Sequence, residues 1–209
     1  NRPGTRAFAH RKAYATSLAR SGRHAEALGV IREIYKLQEE PHLDGNDLAV
    51  HQEWGKITFT YAEKALTLGD TTAAVALWKE ALVALTRTAE WTKQRQAFLN
   101  LSLVQERLGQ HDQKQSSMAR ALGAQGWKLL LEQDPRSAIA PLREAFALHP
   151  SPGFLFNLGL AYLWAGEIDS ANAVYERAVV RFGVDKGREA RAPKNLDWIA
   201  DRGIQASAA

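Results

Sequence analysis

The chain has 209 residues and a mass of 23.1 kDa, with 45% hydrophobic and 24% charged residues, a composition typical of a folded globular protein. It contains no cysteine, which excludes disulfides, thiolate metal sites and cysteine nucleophiles. Its uninterrupted apolar stretches are only a few residues long, so the sequence predicts no transmembrane segment.

The net charge of +4 is unevenly distributed along the chain. Residues 1–36 carry eight basic and two acidic side chains, whereas residues 37–180 carry 13 and 17. Proteins that bind nucleic acid usually carry a basic stripe along the whole fold, so no nucleic-acid partner is predicted. A basic N-terminus fits contact with a partner or with a membrane surface, although a solvated arginine-rich helix explains the same charges.

Five turn signals divide the chain into helical segments. Four of them place a glycine before polar residues, as expected where one helix closes and the next is capped. The remaining one uses Asp134-Pro135, an N-cap aspartate followed by a proline at the first helical position. The signals lie, in chain order, at residues 21–27, 68–74, 108–114, 133–138 and 165–171.

Apolar residues between these turns recur at spacings of three and four, which predicts helices throughout and an all-α fold. After a loop at residues 40–46, a helix is expected over residues 47–68. Two long helices are expected around residues 78–88 and 90–108. The shorter interval that follows predicts a helix after Gly123 that is short or nearly continuous with its predecessor. The regular spacing would therefore break near residue 123, where two sub-bundles would meet.

These units resemble tetratricopeptide repeats, which place small or bulky apolar residues at fixed positions of a 34-residue helix pair. Three degenerate units begin near Phe8, Gly55 and Arg95. The two units that match well begin near residues 119 and 152. Their matching residues are Leu122, Gly126, Leu129, Ala138, Leu142, Ala145 and Pro150 in one, and Leu155, Leu158, Gly159, Tyr162, Ala171, Tyr175 and Ala178 in the other.

The resemblance implies an α-α superhelix, a solenoid of antiparallel helix pairs over residues 1–185. Small residues at the repeat positions let the paired helices approach closely, and stacking of neighbouring pairs buries their apolar faces. Residues 186–209 are expected to form a C-terminal capping helix or tail, with an amphipathic segment after Pro193 that includes Leu196, Trp198, Ile199 and Ile204.

No motif for catalysis is recognised in the sequence. No histidine pair has the spacing of a zinc protease, and no phosphate-binding glycine loop, serine elbow or kinase signature is present. The sequence therefore predicts a protein that is not an enzyme and that has no cofactor and no metal site.

The resemblance further implies that a protein or peptide partner binds in a groove lined by the first helix of each unit. Asparagines at equivalent positions, Asn100 and Asn157, are similar to the ladder by which such domains hold a peptide backbone. Asparagine on a solvent-facing helix explains them equally well. The residues predicted to line this groove are Lys12, Thr16, Lys56, Glu63, Asn100, Leu103, Arg107, Trp127, Asn157, Leu160 and Trp164.

The favoured interpretation is a non-enzymatic scaffold or adaptor within a larger complex. The first alternative is the periplasmic repeat portion of a larger bacterial envelope protein for secretion or exopolysaccharide export. Its 17 arginines against 10 lysines and its start at Asn1 rather than methionine fit a processed chain or a piece of a longer one. A third hypothesis is a regulator whose helical bundle senses a peptide signal. The compartment is not determined by the sequence, and an envelope location is favoured over the cytoplasm.

Overall fold

The computed structural model describes residues 3–38 and 48–183, and within these ranges all regular structure is helical. The all-α prediction is therefore confirmed, and the helix expected over residues 47–68 is present as α3. The predicted loop at residues 40–46 and the predicted C-terminal cap lie outside the described residues. The helices are α1 (Pro3–Arg20), α2 (His24–Gln38), α3 (Leu48–Thr67), α4 (Thr71–Thr92), α5 (Arg95–Arg107), α6 (His111–Leu131), α7 (Pro135–Leu148), α8 (Pro152–Trp164) and α9 (Ile168–Phe182).

The turn between α3 and α4 illustrates how the predicted signals work. Gly69 adopts a φ of 83°, and the Asp70 N–H donates to the Ala65 carbonyl at 2.9 Å, which closes α3. The Asp70 carboxylate then accepts from the Ala73 N–H at 2.9 Å and caps α4. Asp134 caps α7 in the same way through the Ser137 N–H, at 3.2 Å.

The predicted boundary between residues 88 and 90 is wrong, because α4 continues to Thr92. The chain turns at Lys93, which adopts a left-handed φ of 50° while its N–H still donates to the Ala89 carbonyl at 3.0 Å. The Thr92 hydroxyl accepts from the Gln94 N–H at 3.3 Å and supports this turn. No glycine or proline marks the position, so the turn signals used elsewhere are absent.

The helix α6 is continuous across the irregular spacing, as the short interval near Gly123 predicted. Its 21 residues serve as the second helix of one predicted unit and the first helix of the next. The chain divides into two compact units at Lys114 and Gln115, near the start of α6. The prediction of one repeat domain over residues 1–185 stays a prediction, and each unit is described separately below.

In the first unit each helix from α1 to α5 packs against the next, and the first helices of successive pairs, α1 and α3, also touch. Buried aliphatic side chains such as Ile31, Ile34 and Leu85 fill the core. The carboxylate of Glu80 on α4 ties three helices together, because it accepts from the Trp54 indole at 2.8 Å and pairs with Arg32 of α2. Burial acts to raise the pKa of Glu80, but these two donors outweigh it and lower the pKa.

In the second unit α7, α8 and α9 pack in succession around an apolar core that includes Leu142, Phe156 and Leu160. A Cβ on Gly159 would lie 2.6 Å from Cε1 of Tyr175, so only glycine lets α8 approach α9 this closely. Gly126 of α6 is packed against Leu142 of α7 in the same manner. The predicted role of small residues at helix contacts is thus met at both positions. None of the described helices is both long and apolar enough to cross a bilayer.

Candidate partner-binding groove

A cavity of about 330 Å³ opens between α3, α4 and α5 in the first unit. The helices α3 and α5 are the first helices of successive pairs, the elements from which the repeat pattern predicts a groove. We refer to this surface as the α3–α5 groove. Its lining residues are Lys56, Phe59, Thr60, Leu85, Gln96, Asn100 and Leu103.

The lining of the α3–α5 groove combines apolar walls with amide groups and one cation. The side chain of Leu103 is 49% exposed, although it is aliphatic. The Gln96 amide donates to Oδ1 of Asn100 at 2.9 Å, one helical turn away. This bond uses Oδ1 of Asn100, and the amide N–H groups of Asn100 remain available as donors. Lys56 is exposed and has no carboxylate partner in the described part of the chain.

Beyond the cavity, the same two helices are joined by an ion pair. Arg107 on α5 donates through Nε and Nη2 to the two carboxylate oxygens of Glu63 on α3, at 3.0 and 2.7 Å. The Trp78 indole of α4 donates to the same carboxylate at 3.0 Å. Glu63 therefore satisfies groups on two neighbouring helices, and its charge is neutralised by Arg107.

At the other end of the first unit, Thr16 connects α1 to α3. Its hydroxyl lies 2.9 Å from Oε1 of Glu53 and 3.0 Å from the Lys12 carbonyl oxygen. The hydroxyl of Thr16 is therefore already used in a contact between helices. Lys12 remains partly exposed beside it.

The remaining four predicted residues belong to the second unit. The indole side chains of Trp127 and Trp164 are 44% and 47% exposed, and Asn157 is half-buried. Leu160 is only 5% exposed and forms part of the apolar core, so its side chain is not accessible in this structure. Its spacing on α8 matches both a groove position and a core position, because α8 is apolar on nearly all sides.

The structure thus brings Lys56, Asn100 and Leu103 together in one cavity. The cavity is also lined by four residues that are not among the eleven predicted groove residues, namely Phe59, Thr60, Leu85 and Gln96. Gln96 lies four residues before Asn100 and so shares its helix face. Leu85 belongs to α4, a second helix of a pair, whose positions the repeat pattern does not assign to the groove.

No cluster of three or more histidine, aspartate or glutamate side chains that could hold a metal ion occurs within residues 3–38 and 48–183. His51, on α3, is 5% exposed and lies beside Trp54, with ring centroids 6.4 Å apart. Its Nε2 is 3.4 Å from Nη1 of Arg87. This histidine is therefore part of the packing between α3 and α4.

Comparison with known proteins finds similarity only in solved structures: no family model and no curated protein sequence matches the chain. MamA of AMB-1 aligns over 86% of this chain and 92% of its own, at 16% identity and a TM-score of 0.34. A kinesin light chain of Podospora anserina with nearly identical TPR-like repeats aligns over 83% of this chain and 93% of its own, at 14% identity and a TM-score of 0.36. BtubC from P. vanneervenii aligns over 87% of this chain and 78% of its own, at 18% identity and a TM-score of 0.31.

The fold class follows from the helices themselves: antiparallel pairs closed by short capped turns, with glycines where paired helices touch. The described residues form an all-α fold of successive helices, as the sequence predicted, and the solved structures to which the chain is similar include a protein with TPR-like repeats.

Proposed function

We propose that this chain is a non-enzymatic scaffold that binds an extended segment of a partner protein in the α3–α5 groove, as a component of a larger complex. The observation that carries the proposal is the cavity itself. It is lined by Lys56, Asn100 and Leu103, which the repeat pattern of the sequence also assigns to the groove.

The chemistry of the lining supports a peptide ligand. An extended chain has main-chain N–H and C=O groups that lose water on binding, and the amides of Gln96 and Asn100 can pair with them. Phe59 and Leu103 offer apolar surface to a side chain of the bound segment. Lys56 favours an acidic residue nearby.

The same lining supports a role without catalysis. Lys56 is the one ionisable side chain among the seven residues that line the cavity. General acid–base or nucleophilic catalysis needs a titratable group positioned beside a second one that activates it. Glu63 and Arg107 form a bidentate ion pair with each other, so neither of them supplies a titratable group that is activated for catalysis.

The exposed indoles of Trp127 and Trp164, together with Asn157, are proposed as further partner contacts in the second unit. Aromatic residues exposed on a protein surface are frequent anchors in protein interfaces. Three further proposals rest on composition. The chain would be the periplasmic repeat portion of a bacterial envelope protein, it would be located in the envelope, or it would contact a membrane surface through its N-terminus.

The proposed function can be tested by selecting peptides from a random displayed library against the full chain. Selected peptides should bind wild type and lose at least about tenfold in affinity with Leu103→Asp, because a charge is then buried against the peptide. Val83→Asp is the matched control, since Val83 is 59% exposed on α4 and does not line the cavity. Equal affinity for both variants, or the absence of any selected peptide, would reject the α3–α5 groove as the binding site.

A further inference from the structure

Two arginines of α9 lie against one phenyl ring of α7 in the second unit. The guanidinium carbons of Arg177 and Arg181 are each 5.3 Å from the centroid of the Phe146 ring. Arg181 also lies 5.6 Å from the centroid of Phe182. A guanidinium at such a distance is attracted to the ring. Both guanidinium groups thus pack on the same ring. The distance between their carbons is therefore no greater than the sum of the two distances to the ring centroid.

Neither of these cations has a carboxylate partner in the part of the chain that the structure describes. Three other exposed arginines of this protein differ in that respect. Arg23, Arg32 and Arg107 each direct two guanidinium nitrogens to one glutamate. Arg177 and Arg181 therefore present two sets of N–H donors to which no carboxylate within residues 3–38 and 48–183 is paired.

An exposed apolar side chain lies beside this pair. Val180 is 86% exposed and follows Arg177 by three residues, so it shares the same side of α9. The surface thus combines two fixed cations with a small apolar contact. Such a combination is suited to another protein surface rather than to a free ion.

We propose that Arg177 and Arg181, called here the arginine pair, bind two carboxylates of an acidic segment of a partner protein. The two arginines are four residues apart on α9, so acidic side chains one helical turn apart on the partner match their spacing. Each guanidinium can hold one carboxylate in a bidentate pair. Because packing on Phe146 already restricts both side chains, less conformational entropy is lost on binding.

A membrane surface fits the arginine pair less well. Electrostatic recognition of anionic lipid relies on clusters of about four to eight basic residues, and this surface offers two. The proposal is also independent of the α3–α5 groove, because α7 and α9 do not line that cavity. Failure of one proposal leaves the other intact.

The test uses the full chain with two synthetic helical peptides. One peptide carries two glutamates four residues apart, and the other carries glutamines at the same positions. We expect the glutamate peptide to bind about tenfold more tightly at low salt and to shift the side-chain Nε–Hε signals of Arg177 and Arg181 in NMR spectra of arginine-labelled protein. Shifts spread evenly over all exposed arginines would overturn the proposal.

Matched variants separate the arginine pair from general charge. The double variant Arg177→Gln/Arg181→Gln should lose about tenfold in affinity for the glutamate peptide. The double variant Arg95→Gln/Arg136→Gln removes two other exposed arginines and should keep wild-type affinity. Phe146→Leu retains both charges but removes the ring, and should weaken binding severalfold.

Two outcomes of these measurements contradict the proposal directly. One is an equal loss of affinity in the two double variants, which indicates attraction by net charge alone. The other is that wild type binds vesicles of phosphatidylserine and phosphatidylcholine but does not bind the glutamate peptide, while Arg177→Gln/Arg181→Gln does not bind the vesicles. That result would assign the arginine pair to a lipid surface instead.

Discussion

Glu63 and Arg107 form a bidentate ion pair that joins α3 to α5 beside the proposed groove, with the closest N···O distance at 2.7 Å. The repeat pattern predicts both residues as separate contacts for a partner. The structure shows that they contact each other, while Glu63 also accepts from the buried indole of Trp78. Their first role is therefore to hold two successive helix pairs in register.

The two partners of this ion pair should differ in their contribution to stability. Glu63→Ala leaves the Trp78 N–H buried without an acceptor, and should lower the free energy of unfolding by about 1–3 kcal/mol. Arg107→Ala removes a half-exposed cation and should cost less than about 1 kcal/mol. Urea denaturation of both variants measures the difference. Equal losses would show that the Trp78 hydrogen bond contributes nothing.

The close contact between α8 and α9 should make Gly159 intolerant of a side chain. Gly159→Ala places a methyl group against the buried ring of Tyr175 and should destabilise the protein by about 1–3 kcal/mol. Gly153→Ala, on the same helix with no atom within 4 Å of the added Cβ, should be neutral or stabilising by up to about 1 kcal/mol. Thermal unfolding of the two variants compares them, and a tolerated Gly159→Ala would contradict the packing described here.

His24 should make the stability of the first unit depend on pH. Burial, with a smaller effect of the nearby Lys64 charge, lowers the pKa of His24 from 6.5, and its ring stacks on Tyr61 at 5.9 Å. A lowered pKa means that the folded state binds fewer protons than the unfolded state. The resulting stability is fully present above about pH 6.5 and is lost as the pH falls through the lower folded value.

Urea midpoints measured at about pH 7.5 and about pH 5.5 test this dependence. His24→Phe keeps a ring against Tyr61 but cannot be protonated, so its midpoint should fall less between the two pH values than that of wild type. His111→Gln, which changes an exposed histidine, should behave as wild type. An unchanged pH dependence in His24→Phe would assign the effect to other groups.

The amide of Asn100 should contribute to peptide affinity if the bound segment is extended. Asn100→Ala removes the carboxamide that pairs with the peptide backbone and should weaken a selected peptide severalfold. Asn100→Asp retains the size but replaces the donor with a charged acceptor, and should weaken it as well. Isothermal titration with one selected peptide provides the measurement. Wild-type affinity in both variants would contradict the asparagine-ladder hypothesis.

Much of the fold was predictable from the sequence because its signals are local. Glycine at a helix end and aspartate at the next helix start determine the turn at Gly69 and Asp70 with little help from the rest of the chain. The turn at Lys93 was not predicted, because a lysine in the left-handed conformation has no sequence signature. It depends on the packing of α4 and α5 rather than on a turn residue.

The candidate site was predictable only in part, for a related reason. The repeat pattern gives the helix face on which a residue lies, and three of the residues that it selects, Lys56, Asn100 and Leu103, line one cavity. It does not give the depth of a side chain or its pairing with another helix. Leu160 is buried and Glu63 is neutralised by Arg107, and both facts require the packed structure.

The most direct test of the central claim is a map of backbone amide chemical shifts on addition of a peptide selected from the random library. The account predicts that the largest changes occur at residues 56–60 of α3 and 96–103 of α5, where the cavity opens. It also predicts that Leu103→Asp abolishes these changes while Val83→Asp preserves them. Changes confined to the second unit, or unaffected by Leu103→Asp, would contradict binding in the α3–α5 groove.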